Sequence, residues 1–73
     1  MATQIVMNHN GDSRYHFDAK DPKALLDAEH RFKELTGSGF TAASRNKAGE
    51  PIVTRQFDPA AEETLFFPRL VGG

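Results

Sequence analysis

An aspartate followed by a proline, Asp21-Pro22, opens the segment that most constrains this chain. Aspartate is a strong helix cap, and proline belongs at a first helical position, where its missing N–H leaves nothing unsatisfied. Beyond the pair, Leu25, Ala28, Phe32 and Leu35 recur at three- and four-residue steps, Leu26 widens the stripe, and Gly37 follows as a left-handed stop. The spacing predicts one amphipathic helix over residues 22–36. Asp27 with Arg31 and Glu29 with Lys33 are expected i,i+4 pairs on its polar side. A lone helix cannot bury its own apolar stripe, so a second layer must cover it.

That layer has to come from a short chain held by packing alone. The sequence has 73 residues and no cysteine, which leaves one small domain with no disulfide, thiolate metal site or thiol nucleophile. Nine Lys and Arg against ten Asp and Glu give a net charge of −1, which favours neither a nucleic-acid groove nor an anionic membrane surface. No apolar run approaches the ~20 residues of a membrane span. Met1-Ala2-Thr3-Gln4 lacks the basic start of a secretory leader, and a cytoplasmic protein is expected.

Strand signals flank the helix on both sides. Residues 3–7 carry Ile5, Val6 and Met7, the turn-rich run Asn8 to Ser13 holds an Asn10-Gly11 tip, and Arg14 to Asp18 alternates polar with aromatic residues. A hairpin whose second strand is half-buried is expected, with Tyr15 and Phe17 on one side and Arg14, His16 and Asp18 on the other. After the helix, Phe40 to Arg45 and Ile52 to Phe57 read as strands joined by the loop Asn46 to Pro51. Asp58-Pro59 repeats the cap-plus-proline start and predicts a short helical turn to Glu63. A last strand, Thr64 to Phe67, meets Pro68, which marks an edge, a bulge or the strand's end. The expected class is α+β, a four- or five-stranded sheet packed on one central helix.

Catalytic chemistry finds little support. His9, His16 and His30 lack the spacing of a helical zinc site, so neither a metal nor another cofactor is expected. Ser13 with His16 has no oxyanion-hole motif beside it. Asp58, Glu62 and Glu63 suit a helical start, where negative charge complements the dipole. Gly37 and Gly39 follow a helix, whereas a phosphate-cradling loop precedes one. No enzyme is expected.

The unusual feature is the end, Gly72-Gly73. With glycine at about 7% of residues, a terminal pair arises by chance in roughly one chain in two hundred. Thr64-Leu65-Phe66-Phe67-Pro68-Arg69-Leu70-Val71-Gly72-Gly73 resembles the C-terminus of the ubiquitin-like family, in which a final strand runs into a tail ending Arg-Leu-Arg-Gly-Gly. Arg69, Leu70, Gly72 and Gly73 match that tail, and Val71 stands in place of its second arginine. The order of elements is also similar to the β-grasp fold of the family. The run Asn8 to Ser13 lacks the apolar residue of the family's recognition patch, so receptor binding is not carried over.

The resemblance implies a β-grasp domain over residues 1–68 and a flexible tail over 69–73. It further implies a monomeric modifier, closest in kind to prokaryotic ubiquitin-like proteins. Gly73 would be activated by an ATP-dependent activating enzyme, with Arg69, Leu70 and Val71 contacting that enzyme and Gly72 giving a narrow passage without a Cβ. The acyl group would pass through partner cysteines of activating-like and conjugating-like enzymes to target proteins as an isopeptide bond, and a JAB-type peptidase would reverse it. Lys20, Lys23, Lys33 and Lys47 are candidate chain acceptors, although exposed lysines are ordinary on any surface. Two other expectations stand beside this one: a sulfur carrier whose Gly73 becomes a thiocarboxylate, and a plain protein-binding module of a phage or mobile element.

Overall fold

The computed structural model describes residues 1–45 and 49–68. Its elements are β1 (Ala2–Asn8), β2 (Gly11–Phe17), α1 (Pro22–Gly37), β3 (Phe40–Arg45), β4 (Pro51–Thr54) and β5 (Glu63–Pro68). The strands form one mixed sheet in the order β2-β1-β5-β3-β4, with β1 and β5 parallel and every other neighbouring pair antiparallel. A five-stranded sheet with one helix is the α+β arrangement that the helix stripe requires.

Strand alternation and register divide the sheet into two faces. Ala2, Gln4 and Val6 of β1, Phe40 and Ala42 of β3, and Thr64 and Phe66 of β5 turn toward the helix. Val6, Phe32, Ala42 and Phe66 form the buried cluster there, with Leu35, Phe40 and Phe57 packed around it. The Phe32 ring meets Phe66 and Phe57 edge-on, at centroid distances of 5.6 and 5.9 Å. Edge-to-face geometry places the positive ring edge on the negative face.

The helix begins as expected, with Asp21 Oδ1 accepting the Lys23 N–H at 3.1 Å and Pro22 as the first helical residue. Its end differs. Gly37 lies inside the helix, and Ser38 closes it by donating its N–H to Leu35 O at 3.0 Å and its hydroxyl to Glu34 O at 2.8 Å. The left-handed conformation falls instead on Gly39, at φ 98°, where the chain turns into β3. Leu26 is 53% exposed and does not widen the buried stripe. Neither expected i,i+4 ion pair forms, and Arg31 reaches inward to Gln4 rather than to Asp27.

Three further expectations are corrected. β2 is exposed along its length except for the partly buried Phe17, because it is the outermost strand and the helix overhangs only one of its faces. β4 stops at Thr54 rather than reaching Phe57: the Thr54 hydroxyl donates to Gln56 O at 2.8 Å and accepts the Gln56 N–H at 3.2 Å. That local turn frees Phe57 to pack on Phe32. Residues 58–63 form a turn and no helix, with Asp58 Oδ1 accepting the Ala60 N–H and Asp58 O the Ala61 N–H. Glu63 already belongs to β5, so no length remains for a helical turn to propagate.

Pro68 ends β5, paired with Phe40. The β1 side of the ladder has already stopped at Phe66, so the proline stands where β5 has a single neighbour.

Candidate functional site

The predicted conjugation residues Gly72 and Gly73 and the predicted contact residues Arg69, Leu70 and Val71 lie outside the described residues, as does Lys47. Described instead is the strand from which they follow in sequence. β5 is an inner strand, hydrogen-bonded to β1 and β3, and Phe66 anchors it with a side chain that is 0% exposed. On the other face Glu63 accepts from Arg45 Nε at 2.9 Å, joining β5 to β3. Hydrophobic burial and two ladders therefore hold β5 as far as Phe66, and pairing with β3 alone carries it on to Pro68.

No element among the described residues covers the face turned away from the helix. Ile5 and Ala43 are buried among their neighbours on this face, and Leu65 and Phe67 are half-buried beside them. Val53 on β4 is 67% exposed. The Arg14–Asp12 pair and His16 on one flank and the Arg45–Glu63 pair on the other border this apolar centre. It can offer apolar contact bordered by paired charges.

The histidines stay apart. His9 is in the first turn and His30 on the exposed side of the helix, while His16 Nδ1 lies 3.0 Å from the Thr3 hydroxyl across the β1–β2 ladder. Ser13 and His16 differ by an odd number of strand positions, so their side chains leave opposite faces and cannot act as nucleophile and base. Among the described residues no group of His, Asp and Glu is placed to hold a metal ion. Asp58 is engaged with its own turn and Glu63 with Arg45, which separates the acidic residues of that segment. Lys20, Lys23 and Lys33 are exposed.

A polar group inside the helix–sheet interface was not anticipated. Gln4 is 0% exposed; its Nε2 donates to Ala28 O at 2.9 Å, and its Oε1 accepts from Arg31 Nη1 at 2.8 Å. The Arg31 guanidinium lies over the Tyr15 ring, 4.1 Å from the centroid. The signal was present in the alternation, since Gln4 shares parity with Val6 and so must face inward if Val6 does. Every polar atom of Gln4 finds a protein partner or helix carbonyl, which is the condition for a polar side chain to be buried there. The arrangement ties the middle of the helix to the first hairpin.

A concavity of about 500 Å³ lies beside the helix C-terminus, lined by Thr36, Phe40, Thr54 and Arg55 among others. Its one charged residue, Arg55, has no acid or base partner in the lining. No helix among the described residues is long and apolar enough to cross a membrane. Comparison with known protein families, with curated proteins and with solved structures finds no match.

Proposed function

We propose that this chain is a ubiquitin-like modifier of the β-grasp kind, activated at Gly73 and transferred to target proteins by partner enzymes. The observation that carries the reading is the sequence Arg69-Leu70-Val71-Gly72-Gly73 following directly on a firmly anchored inner strand. The order β2-β1-β5-β3-β4, with parallel β1 and β5 at its centre, is compatible with a β-grasp sheet. A carboxylate is a poor electrophile, so the terminus requires adenylation by ATP and then a thioester before an amine can attack it. The chain has no cysteine, and both the thiol and the nucleotide site belong to partners.

In this reading the domain is the handle and the tail is the reactive end. Incubation of the full chain with ATP and its cognate activating enzyme should yield an adenylate and then an enzyme thioester. Removal of Gly72 and Gly73 should abolish both, and activation that survives the deletion would refute the proposal. A sulfur carrier would share the adenylate but end as a thiocarboxylate, which intact mass distinguishes from attachment to a polypeptide.

The uncovered sheet face favours one second reading, a protein-binding module that does not use its terminus. Phe67 tests it more cleanly than Phe66, because Phe66 belongs to the core and its loss would disturb folding. Phe67→Ala would then remove function while Gly73→Ala leaves it intact; the modifier reading requires Gly73→Ala to be damaging.

A further inference from the structure

The sheet has two outer edges, and they differ in protection. β4 spans four residues, Pro51–Thr54, and starts with a proline, two devices that make a poor template for another strand. β2 spans seven residues, Gly11–Phe17, with no proline and an unbroken register against β1. Long unprotected edges invite a further strand.

The hairpin geometry tells which backbone groups are free. Asn8 and Gly11 flank the two-residue turn His9-Asn10 and form its hydrogen-bonded pair. Antiparallel alternation then turns the N–H and C=O of Ser13, Tyr15 and Phe17 toward β1, and those of Asp12, Arg14 and His16 outward. Their side chains, by the same alternation, lie on the uncovered face.

We propose that β2 pairs antiparallel with β2 of a second copy of this chain, about a two-fold axis through Ser13. Such an axis stands perpendicular to the sheet, keeps each face with its counterpart and admits only registers that oppose outward residues to outward residues. Four registers satisfy this near the strand centre. Centring on Asp12 opposes the two Asp12 carboxylates; centring on Arg14 opposes the two guanidinium groups; centring on Tyr15 sets Arg14 against His16 and carries Asp12 past the end of the second copy's β2 at Phe17. Like charges directly opposite are destabilising.

Centring on Ser13 alone sets Asp12 against the second copy's Arg14 and Arg14 against its Asp12. In the single chain these two side chains settle for each other along one strand, at 3.6 Å, with 60% of the Arg14 and 49% of the Asp12 side-chain surface exposed. The same register places Tyr15, 41% exposed, opposite Gly11 of the other copy. Gly11 has no side chain and open space where a Cβ would stand, so the ring can cover bare backbone. Backbone parity narrows the choice to a few registers, and charge reciprocity with an aromatic over glycine selects one of them, which is the reason for assigning the partner as a second copy rather than an unrelated peptide.

The pairing joins two sheets into one of ten strands, each copy contributing five. It replaces the expectation of a monomer and does not depend on the modifier reading. The contact is small beside the ~20–30 residues a side of a standard interface, so association should be concentration-dependent.

Because the chain lacks cysteine, single-cysteine variants of the full chain test the register directly. Under mild oxidation Ser13→Cys should form a disulfide dimer at least about tenfold faster than Asp12→Cys or Arg14→Cys, since only residue 13 meets its own copy across the axis. In sedimentation velocity over a concentration series, Asp12→Arg or Arg14→Asp should weaken self-association by about tenfold or more, and the double variant should restore it. Circular dichroism checks that each variant is folded. Equal cross-linking at residues 12, 13 and 14, a chain that stays monomeric up to its solubility limit, or a double variant that fails to recover would each overturn the proposal. A β2 edge protected only by an added extended peptide would overturn it in favour of a foreign strand.

Discussion

The two ends of the helix–sheet interface are built from opposite materials. At the end nearer β5 and β3, Phe32, Phe66 and Phe57 meet edge-to-face over Val6 and Ala42, an apolar cluster. At the end nearer the first hairpin, the contact is Gln4 reaching Ala28 O and accepting from Arg31, with Tyr15 beneath the guanidinium. Apolar packing contributes in proportion to the area removed from water and tolerates small shifts. A buried amide contributes little net energy but penalises any arrangement that leaves its partners unmatched. The aromatic end therefore supplies stability, and the polar end fixes how the first hairpin sits against the helix.

Substitutions can break that division of labour. The largest effect should come from Phe66→Ala, which removes a fully buried ring and should cost about 3–5 kcal/mol in urea unfolding. For a chain of this size that approaches the whole stability, and a cost below about 2 kcal/mol would remove the aromatic cluster's claim to dominance. Gln4→Ala should cost about 1–3 kcal/mol, because Arg31 loses its acceptor inside the interface. Gln4→Met, which keeps the volume, should recover part of the packing but leave that donor unmet. If Gln4→Ala proved as damaging as Phe66→Ala, the polar end would be carrying stability as well as orientation.

Smaller effects sharpen the picture. Tyr15→Leu keeps apolar area but removes the cation–π contact, and should lower stability by about 0.5–1 kcal/mol, since the ring is partly exposed. Arg45→Ala deletes an ion pair with Glu63 at the surface and should change stability by less than ~1 kcal/mol, an effect that fades in high salt. A larger or salt-independent loss would mean that the uncovered face contributes to the fold beyond its packing.

The apolar end was legible in the sequence and the polar end was not. Phe32 and Leu35 lie on a helical stripe, and Asp21-Pro22 announces where it starts, so local chemistry alone places this helix. Gln4 is silent locally; its burial follows only once β1 is known to be an inner strand whose neighbours Ala2 and Val6 face the helix. The same distinction explains the failed helical turn at Asp58-Pro59: the start signal is genuine, but pairing of Thr3 and Arg45 with Glu63 claims the chain first. Gly37 carries the residue type of a helix stop, whereas Ser38 supplies the cap and Gly39 the turn. For the candidate site, the tail motif was read from residue types alone, and the uncovered face emerged only from strand order, which joins Ile5, Ala43 and Leu65 from distant parts of the chain.

The position of β5 has a consequence for how the molecule comes into being. The β1–β2 and β3–β4 hairpins touch no common strand except β5, which lies between them. A nascent chain can form each hairpin and the helix early, because those contacts are local, yet it has no continuous sheet until residues 63–68 have left the ribosome. Until then the Val6 and Ala42 surfaces lack Phe66 between them, and the intermediate exposes the apolar ground that the finished domain hides. Completion of the fold thus waits for residues 63–68, so a truncated chain that lacks β5 would lack a closed core as well.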